Sequence, residues 1–212
     1  AIIVKQKDLK GKAIMRTVFI LPWAVPAFVS ILVFAGMFNE SFGAINRDIL
    51  GFFGIEGFPW MTEPIFTRIA LILMHTWLGF PFIFAMTTGV LQSISQDLYE
   101  AATVDGASNI QKFKNITLPL VLYAIAPVLI TQYTFNFNNF NIIYLFNGGG
   151  PAITGQNAGG TDILISWIYR LTMTSAQYSK AATLTMLLSI IVITVAIWQF
   201  KRTKSFQEED MM

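Results

Sequence analysis

Residues 115–161 contain no charged side chain at all, and three further stretches, 18–38, 69–91 and 181–200, are equally bare. Crossing a bilayer takes about 20 apolar residues. Within the long bare run, residues 118–146 meet that requirement, so four stretches do. In hydrocarbon every backbone N–H and C=O must be paired within its own segment or in a closed barrel. A barrel would show alternating segments of about ten residues, and none is visible. The expectation is therefore an all-α, polytopic membrane bundle with spans at 18–38, 69–91, 118–146 and 181–200. Composition agrees. The chain has 212 residues, 54% of them hydrophobic and 12% charged, against roughly a quarter charged in ordinary soluble domains. That excludes a disordered chain and leaves too little charge to coat a soluble globule. A net charge of +2 gives no basic field for nucleic acid. With no cysteine there is no disulfide framework, thiolate nucleophile or cysteine metal site.

The loop charges set the expected orientation. Lys5, Lys7, Lys10, Lys12 and Arg16 precede the first span, Lys112 and Lys114 lie between the second and third, and Lys201, Arg202 and Lys204 follow the fourth. The alternate side holds only Arg47, Arg68, Arg170 and Lys180. Both ends and the 92–117 loop are thus expected in the cytoplasm, in a multi-pass protein of the cell membrane. Ala1 is not an initiator methionine, and the first apolar run is too long for a cleaved signal; the chain is expected to be a fragment. Outside, residues 39–65 read as a compact loop with a short helix near 45–53, and the Asn147-Gly148-Gly149-Gly150-Pro151 stretch reads as a turn. Residues 162–173 are too short to span and suit an interfacial or re-entrant helix, with Thr161 or Asp162 as N-cap. The Glu208-Glu209-Asp210 tail reads as a solvated end.

No Asp, Glu, Lys or Arg lies inside the four spans, which argues against proton relays and voltage sensors. One histidine, His75, cannot make a metal site by itself; a packed, hydrogen-bonded ring is the plainer reading. The second span is expected to be interrupted at Leu78-Gly79-Phe80-Pro81-Phe82, because proline removes a donor and crowds the preceding turn. Such a break marks either a transport site or a packing kink. In the third span, Gln132, Asn136 and Asn139 fall within an arc of about 60° of an ideal helix, with Phe135 beside them. Amides both donate and accept, so this stripe suits a neutral polyol that also wants an aromatic face. The alternative is interhelical glue.

The 92–117 loop reads as a small helix, a glycine turn and a second helix entering the membrane, with Leu98, Ala101, Ala102 and Ile110 as an apolar docking face. Its Glu100-Ala101-Ala102, Gly106 and Ile116-Thr117-Leu118-Pro119 resemble the EAA loop of permease subunits in bacterial binding-protein-dependent ABC importers. Leu21-Pro22-Trp23-Ala24-Val25-Pro26, Trp77-Leu78-Gly79-Phe80-Pro81 and Phe135-Asn136-Phe137-Asn138-Asn139-Phe140 resemble the sugar branch, and within it the maltose/maltodextrin MalF type. The resemblance covers essentially the whole chain. It implies a MetI-like transmembrane domain over residues 1–212, lacking further N-terminal spans. It also implies a second, MalG-like permease subunit, two ATPase subunits and an extracytoplasmic sugar-binding protein, in a lipid bilayer. By the resemblance, Glu100, Ala101, Ala102, Asp105 and Gly106 couple to the ATPase. Leu78, Gly79, Phe82, Phe135, Asn136 and Asn139, with Gln132 and Ser30, contact the sugar. Phe80 and Phe82 stand where some relatives carry tyrosines.

No GxxxxGK[ST] phosphate loop is present. The chain is expected to carry no cofactor, ATP being bound by the partners, and to be no enzyme itself. The expected function is import of maltose, maltodextrin or a similar oligosaccharide; another neutral sugar, a glycerol-phosphate-like substrate or a secondary carrier are the alternatives. A membrane-embedded enzyme lacks a reactive residue set, and a purely structural subunit leaves the amide stripe unexplained.

Overall fold

A computed structural model describes residues 11–202; Lys5, Lys7, Lys10, Lys204 and the acidic tail lie outside the described residues. Among them are nine α-helices: α1 Lys12–Ile20, α2 Ala27–Met37, α3 Pro64–Ser93, α4 Gln96–Val104, α5 Asn109–Lys112, α6 Leu118–Phe137, α7 Phe140–Asn147, α8 Leu164–Met173 and α9 Tyr178–Arg202. Tighter or wider turns at Leu21–Ala24, Ile45–Leu50 and Phe113–Thr117 link them. No β-strand occurs among the described residues; Ala152 and Gly159 form a single isolated bridge. Three stretches are helical, long and apolar enough to cross a membrane: Pro64–Ser93, Asn109–Phe137 and Tyr178–Gln199. In the last, Met186, Ile190 and Ile193 are more than half exposed, an apolar surface unsuited to water and suited to lipid.

The expected spans need three corrections. Residues 18–38 do not form one helix: α1 passes into the Leu21–Ala24 turn, and α2 starts only after Pro26, whose ψ of 134° is extended. Pro26 has no N–H to continue the ladder, and its ring disfavours helical backbone at Val25. The second stretch is not interrupted. α3 runs 30 residues with Pro81 inside it. That proline removes a single intrahelical bond, and its ring is fully buried, so packing offsets the loss. The third expected span breaks instead, between Phe137 and Phe140. There the Asn138 side-chain amide donates back to Thr134 O (3.4 Å) and its own carbonyl accepts from Phe140 N (2.8 Å), the competition with the helix ladder that makes asparagine a poor mid-helix residue.

The chain divides into two compact units. The described residues of the first are 11–22, 80–133 and 195–202. Its core is Leu91 against Val121 and Ile125, flanked by Met86, Val90 and Ile94. Phe19 meets Phe84 edge-on at 5.1 Å and Phe80 at 6.1 Å, geometries favoured by the ring quadrupoles. The second unit comprises residues 23–79 and 134–194. Ile31 of α2 and Phe38 just past its end, Ala70, Leu71 and Met74 of α3, and Ile142 and Phe146 of α7 pack with Trp60 into one cluster. Ile168 and Leu171 of α8 pack on Ala181 and Leu188 of α9 in another.

Candidate functional site

In the first unit the 96–117 segment is a rigid hairpin built almost wholly from near neighbours. The Ser95 hydroxyl caps α4 by accepting from Asp97 N (3.2 Å), and Asp97 complements the positive end of the helix dipole. At the other end Asp105 is the C-cap, Gly106 takes φ 75°, and Ala107 N reaches back to Ala102 O (2.9 Å), a glycine-terminated helix end. Ser108 and Gln111 form a reciprocal capping box that starts α5. The Lys112 ammonium donates to Thr103 Oγ1 (2.7 Å), and the Tyr99 and Thr117 hydroxyls meet at 2.9 Å, tying α4 to α5 and to the foot of α6.

The hairpin holds its own polar groups and leaves apolar ones outside. Val104 is 88% exposed, Ile110 77% and Leu98 47%. Glu100, Ala101, Asp105 and Gly106 are exposed beside them and Ala102 is half-buried. Small residues, two carboxylates and three bare aliphatic chains on a pre-ordered turn make a docking surface. Val104, the most exposed of the three, is absent from the face expected from sequence. Only the helix end at Asp105 shows that its side chain finds no cover.

The residues expected to contact sugar fall in both units. Phe82 and Gln132 belong to the first and are half-buried. Ser30, Leu78, Gly79, Phe135, Asn136 and Asn139 belong to the second. Ser30 is buried beside Ile31 on α2, and Leu78 packs partly buried against the core around Met74. Gly79 leaves room: a methyl group there would approach nothing closer than His75 Cδ2, at 4.0 Å. Phe135 is 65% exposed. Asn136 Oδ1 lies 2.9 Å from His75 Nε2. Asn139 falls past the end of α6, at the N-cap of α7, so the helical arc that grouped it with Gln132 and Asn136 does not continue to it.

Sequence reasoning did not find the lock on the glycine-rich loop of the second unit. The Asp162 carboxylate, its side chain 2% exposed, pairs with Arg170 (3.0 Å), accepts from Gly159 N (2.7 Å) and accepts the Ser166 hydroxyl (2.9 Å). Arg170 also donates to Gly148 O (2.6 Å), Thr161 Oγ1 donates to Gly150 O (2.6 Å), and Arg68 Nε donates to Gly160 O (2.9 Å). Glycine is required at 149 and 159: a Cβ on Gly149 would strike the Asp162 carboxylate, and one on Gly159 would strike Gly149 O. Asp162 is thus a buried anchor, not a cap. Helix α8 begins after Ile163, whose N–H donates to Ser166 Oγ (3.0 Å). Beside this loop is a cavity of about 390 Å³ lined by Arg68, Leu71, Ile72, His75, Ile142 and Asp162 among others.

In the 39–63 loop of the same unit, the Glu40 carboxylate accepts from Met61 N, Thr62 N and Thr62 Oγ1, each at 2.8 Å. Desolvation pulls its pKa upward, but the three donors outweigh it and hold the carboxyl below its ordinary value.

These helices, hairpin and loops are those of a transport protein's membrane subunit. Residues 1–204 match the family described as the binding-protein-dependent transport system inner membrane component, and the chain belongs to that family. It is 69% identical over 209 residues to the galactooligosaccharides transport system permease protein GanP of Bacillus subtilis, covering 99% of this chain and 50% of that protein. It is 57% identical over 219 residues to the maltodextrin transport system permease protein MalC of Streptococcus pneumoniae, covering 100% of this chain and 50% of that protein. The chain therefore spans about half the length of the curated relatives it matches. The fold is shared with a bacterial alginate ABC transporter solved in complex with an alginate pentasaccharide-bound periplasmic protein. The TM-score is 0.81 at 22% identity, over 97% of this chain and 69% of that one.

Proposed function

We propose that the chain belongs to the membrane subunit of an ATP-driven importer that carries a neutral oligosaccharide across the cytoplasmic membrane. The observation that carries this reading is the hairpin: a pre-ordered 96–117 segment with Glu100 and the bare Leu98, Val104 and Ile110 side chains, in a chain 57–69% identical to oligosaccharide permeases. Energy reaches the chain from outside, through two ATPase subunits, in a cleft of which the hairpin docks; the chain itself is non-catalytic. A second, MalG-like permease subunit completes the pathway, and an extracytoplasmic sugar-binding protein delivers the ligand. Both ends of the chain and the hairpin face the cytoplasm.

The lever follows from the bonds. Thr103–Lys112 couples α4 to α5, and Tyr99–Thr117 couples α4 to the foot of α6. A push on the hairpin is therefore passed to the start of α6 within the first unit. Asn136 and Asn139 offer amide donors and acceptors to sugar hydroxyls, and Phe135 offers a face for its C–H surface. Leu78, Gly79 and Ser30 of the same unit are the further contacts proposed there. A charged ligand would want a counter-charge among these residues, and all are neutral.

The similarity to the MalC protein supports a maltodextrin; the 69% identity to GanP favours a galactooligosaccharide as the second reading. The test is sugar-stimulated ATP hydrolysis by the full-length subunit, assembled with its partners and binding protein, with each sugar series in turn. Asn136→Ala/Asn139→Ala should abolish the response to the transported series with assembly intact. An unchanged response returns the asparagines to helix glue, and silence toward both series removes the substrate class.

A further inference from the structure

The cavity of about 390 Å³ beside the glycine-rich loop has no part in the transport reading. All its lining residues belong to the second unit. Arg68, Leu71, Ile72 and His75 of α3 form one wall, and Ile142 and Ile143 of α7 with residues 160–163 of the loop form the others. We propose that this cavity is an outer subsite for the transported oligosaccharide. It takes a sugar unit lying beyond the contacts around Gly79, and Arg68 is its hydrogen-bonding residue. The proposal rests on the reading of the chain as an oligosaccharide permease and adds to it a site that reads chain length.

Continuity with the region around Gly79 carries the assignment. Arg68, Ile72, His75 and Gly79 follow one another along α3 at helical spacing, which puts them on one face of the helix. At 1.5 Å per residue, Ile72 lies about 11 Å and Arg68 about 17 Å from Gly79 along the axis. His75 belongs to both regions: it lines the cavity, and its Nε2 lies 2.9 Å from Asn136 Oδ1. A chain of sugar rings running along this face from Gly79 therefore enters the cavity. A short sugar held at Gly79 stops before Arg68.

The walls have the chemistry of a sugar ring's surroundings. Leu71, Ile72, Ile142, Ile143 and Ile163 offer aliphatic surface to its C–H faces. Arg68 offers donors. A guanidinium carries several N–H groups in a fixed fork, and only Nε is used among the described residues, donating to Gly160 O (2.9 Å). That bond fixes the plane of the fork and leaves the terminal nitrogens for hydroxyl oxygens. Asp162 lines the same cavity but is held by Arg170, Gly159 N and the Ser166 hydroxyl, and it forms no ion pair with Arg68. The walls are also set before a ligand arrives, which lowers the cost of binding. Asp162 anchors the loop, and Gly160 lets it approach α3 so closely that a β-carbon there would come within 2.9 Å of Pro64 Cβ. A preformed, largely aliphatic cavity with a few convergent polar groups is the common build of a small-ligand site.

The experiment uses the full-length subunit in the assembled transporter with saturating binding protein. It measures initial uptake of maltodextrins and of galactooligosaccharides, each as a series from disaccharide to pentasaccharide. Arg68→Met removes the donors, and Ile72→Trp fills the cavity with Arg68 in place. In each variant the ratio of pentasaccharide to disaccharide uptake should fall about tenfold, the effect of losing a hydrogen bond to a charged group. A purely structural part for the Arg68–Gly160 bond, or a lipid tail seated in the cavity, would lower uptake of every length alike. Such a flat defect, or a native ratio in either variant, overturns the proposal. If Arg68→Met fails to assemble, Ile72→Trp decides: a length-dependent loss supports the subsite and a flat profile overturns it. Uptake of neither series by the native subunit removes the substrate class and the subsite with it. Failure of the permease reading thus shows in the native profile, and failure of the subsite alone shows only in the variants.

Discussion

The 96–117 hairpin and the 147–163 loop are both short, irregular connections, and they are ordered in opposite ways. In the hairpin, Tyr99 bonds Thr117 across 18 residues and Lys112 bonds Thr103 across 9. Its apolar side chains stay outside. The loop's side-chain bonds come from far away: Arg68 is 92 residues from Gly160, and Asn147 donates to Met61 O across 86. Its anchoring side chains, Asp162 and Thr161, are buried. A segment that orders itself can present its surface to another protein. A segment ordered by its surroundings instead holds those surroundings together. One is built to be touched, the other to join α3, α7 and α8 of its unit.

Four perturbations test that contrast, from the largest expected effect to the smallest. Glu100→Lys should abolish coupled uptake while the variant inserts, assembles and melts like the native subunit, because its side chain is exposed; uptake at the native rate would refute the docking role. Asp162→Ala should do the reverse and lower the unfolding stability of the second unit by about 3 kcal/mol. It strands Arg170 and removes the acceptor for Gly159 N and Ser166 Oγ. Thermal melts in detergent read this, and an unshifted melt would mean the loop is held by other means. Gly106→Ala places a β-carbon where φ is 75° but meets no neighbour. The cost should be local, roughly 1–2 kcal/mol, and visible as faster amide exchange at Ala107 without a global change.

The smallest effect concerns the 39–63 loop. The Glu40 carboxyl is held below its ordinary value, so it stabilises the folded loop above the usual carboxylate range, and that contribution is lost as pH falls through its lowered pKa. Amide protection at Met61 and Thr62 should fall on acidification over that window, and Glu40→Gln should flatten the dependence. A pH profile unaltered by the glutamine would place the loop's order elsewhere.

How much of this was legible beforehand follows the same division. The hairpin's order of helix, glycine turn and helix was legible at Gly106, whereas the caps at Ser95, Ser108 and Gln111, which act on backbone groups two or three positions away, appear only in the structure. Its exposed Val104 was missed, because exposure depends on what the rest of the unit fails to cover. Asp162 was taken for a helix cap on the same local logic and proved to be an ion-pair anchor, since Arg170 and Gly159 reach it only in the folded loop. The His75 ring was expected to be hydrogen-bonded, but its partner Asn136 lies on another helix and carries no sequence signal.

Prolines and asparagines make the point most sharply. Pro26 and Pro81 impose the same chemical restriction, yet a helix begins at the first and runs through the second. The helix that does break before its expected end breaks at Asn138 and Asn139. By itself the sequence determined the all-helical membrane class, the number and rough positions of the apolar stretches, and the order of helix, glycine turn and helix in the hairpin. Bilayer thickness, backbone pairing in hydrocarbon and a glycine turn act over a turn or over one uninterrupted run of residues. Only the tertiary structure decided which imperfect positions stay helical, which charges are buried as anchors, and which amide meets the histidine. Each of those outcomes turns on whether a distant element supplies the packing or the hydrogen bond that the local chain lacks.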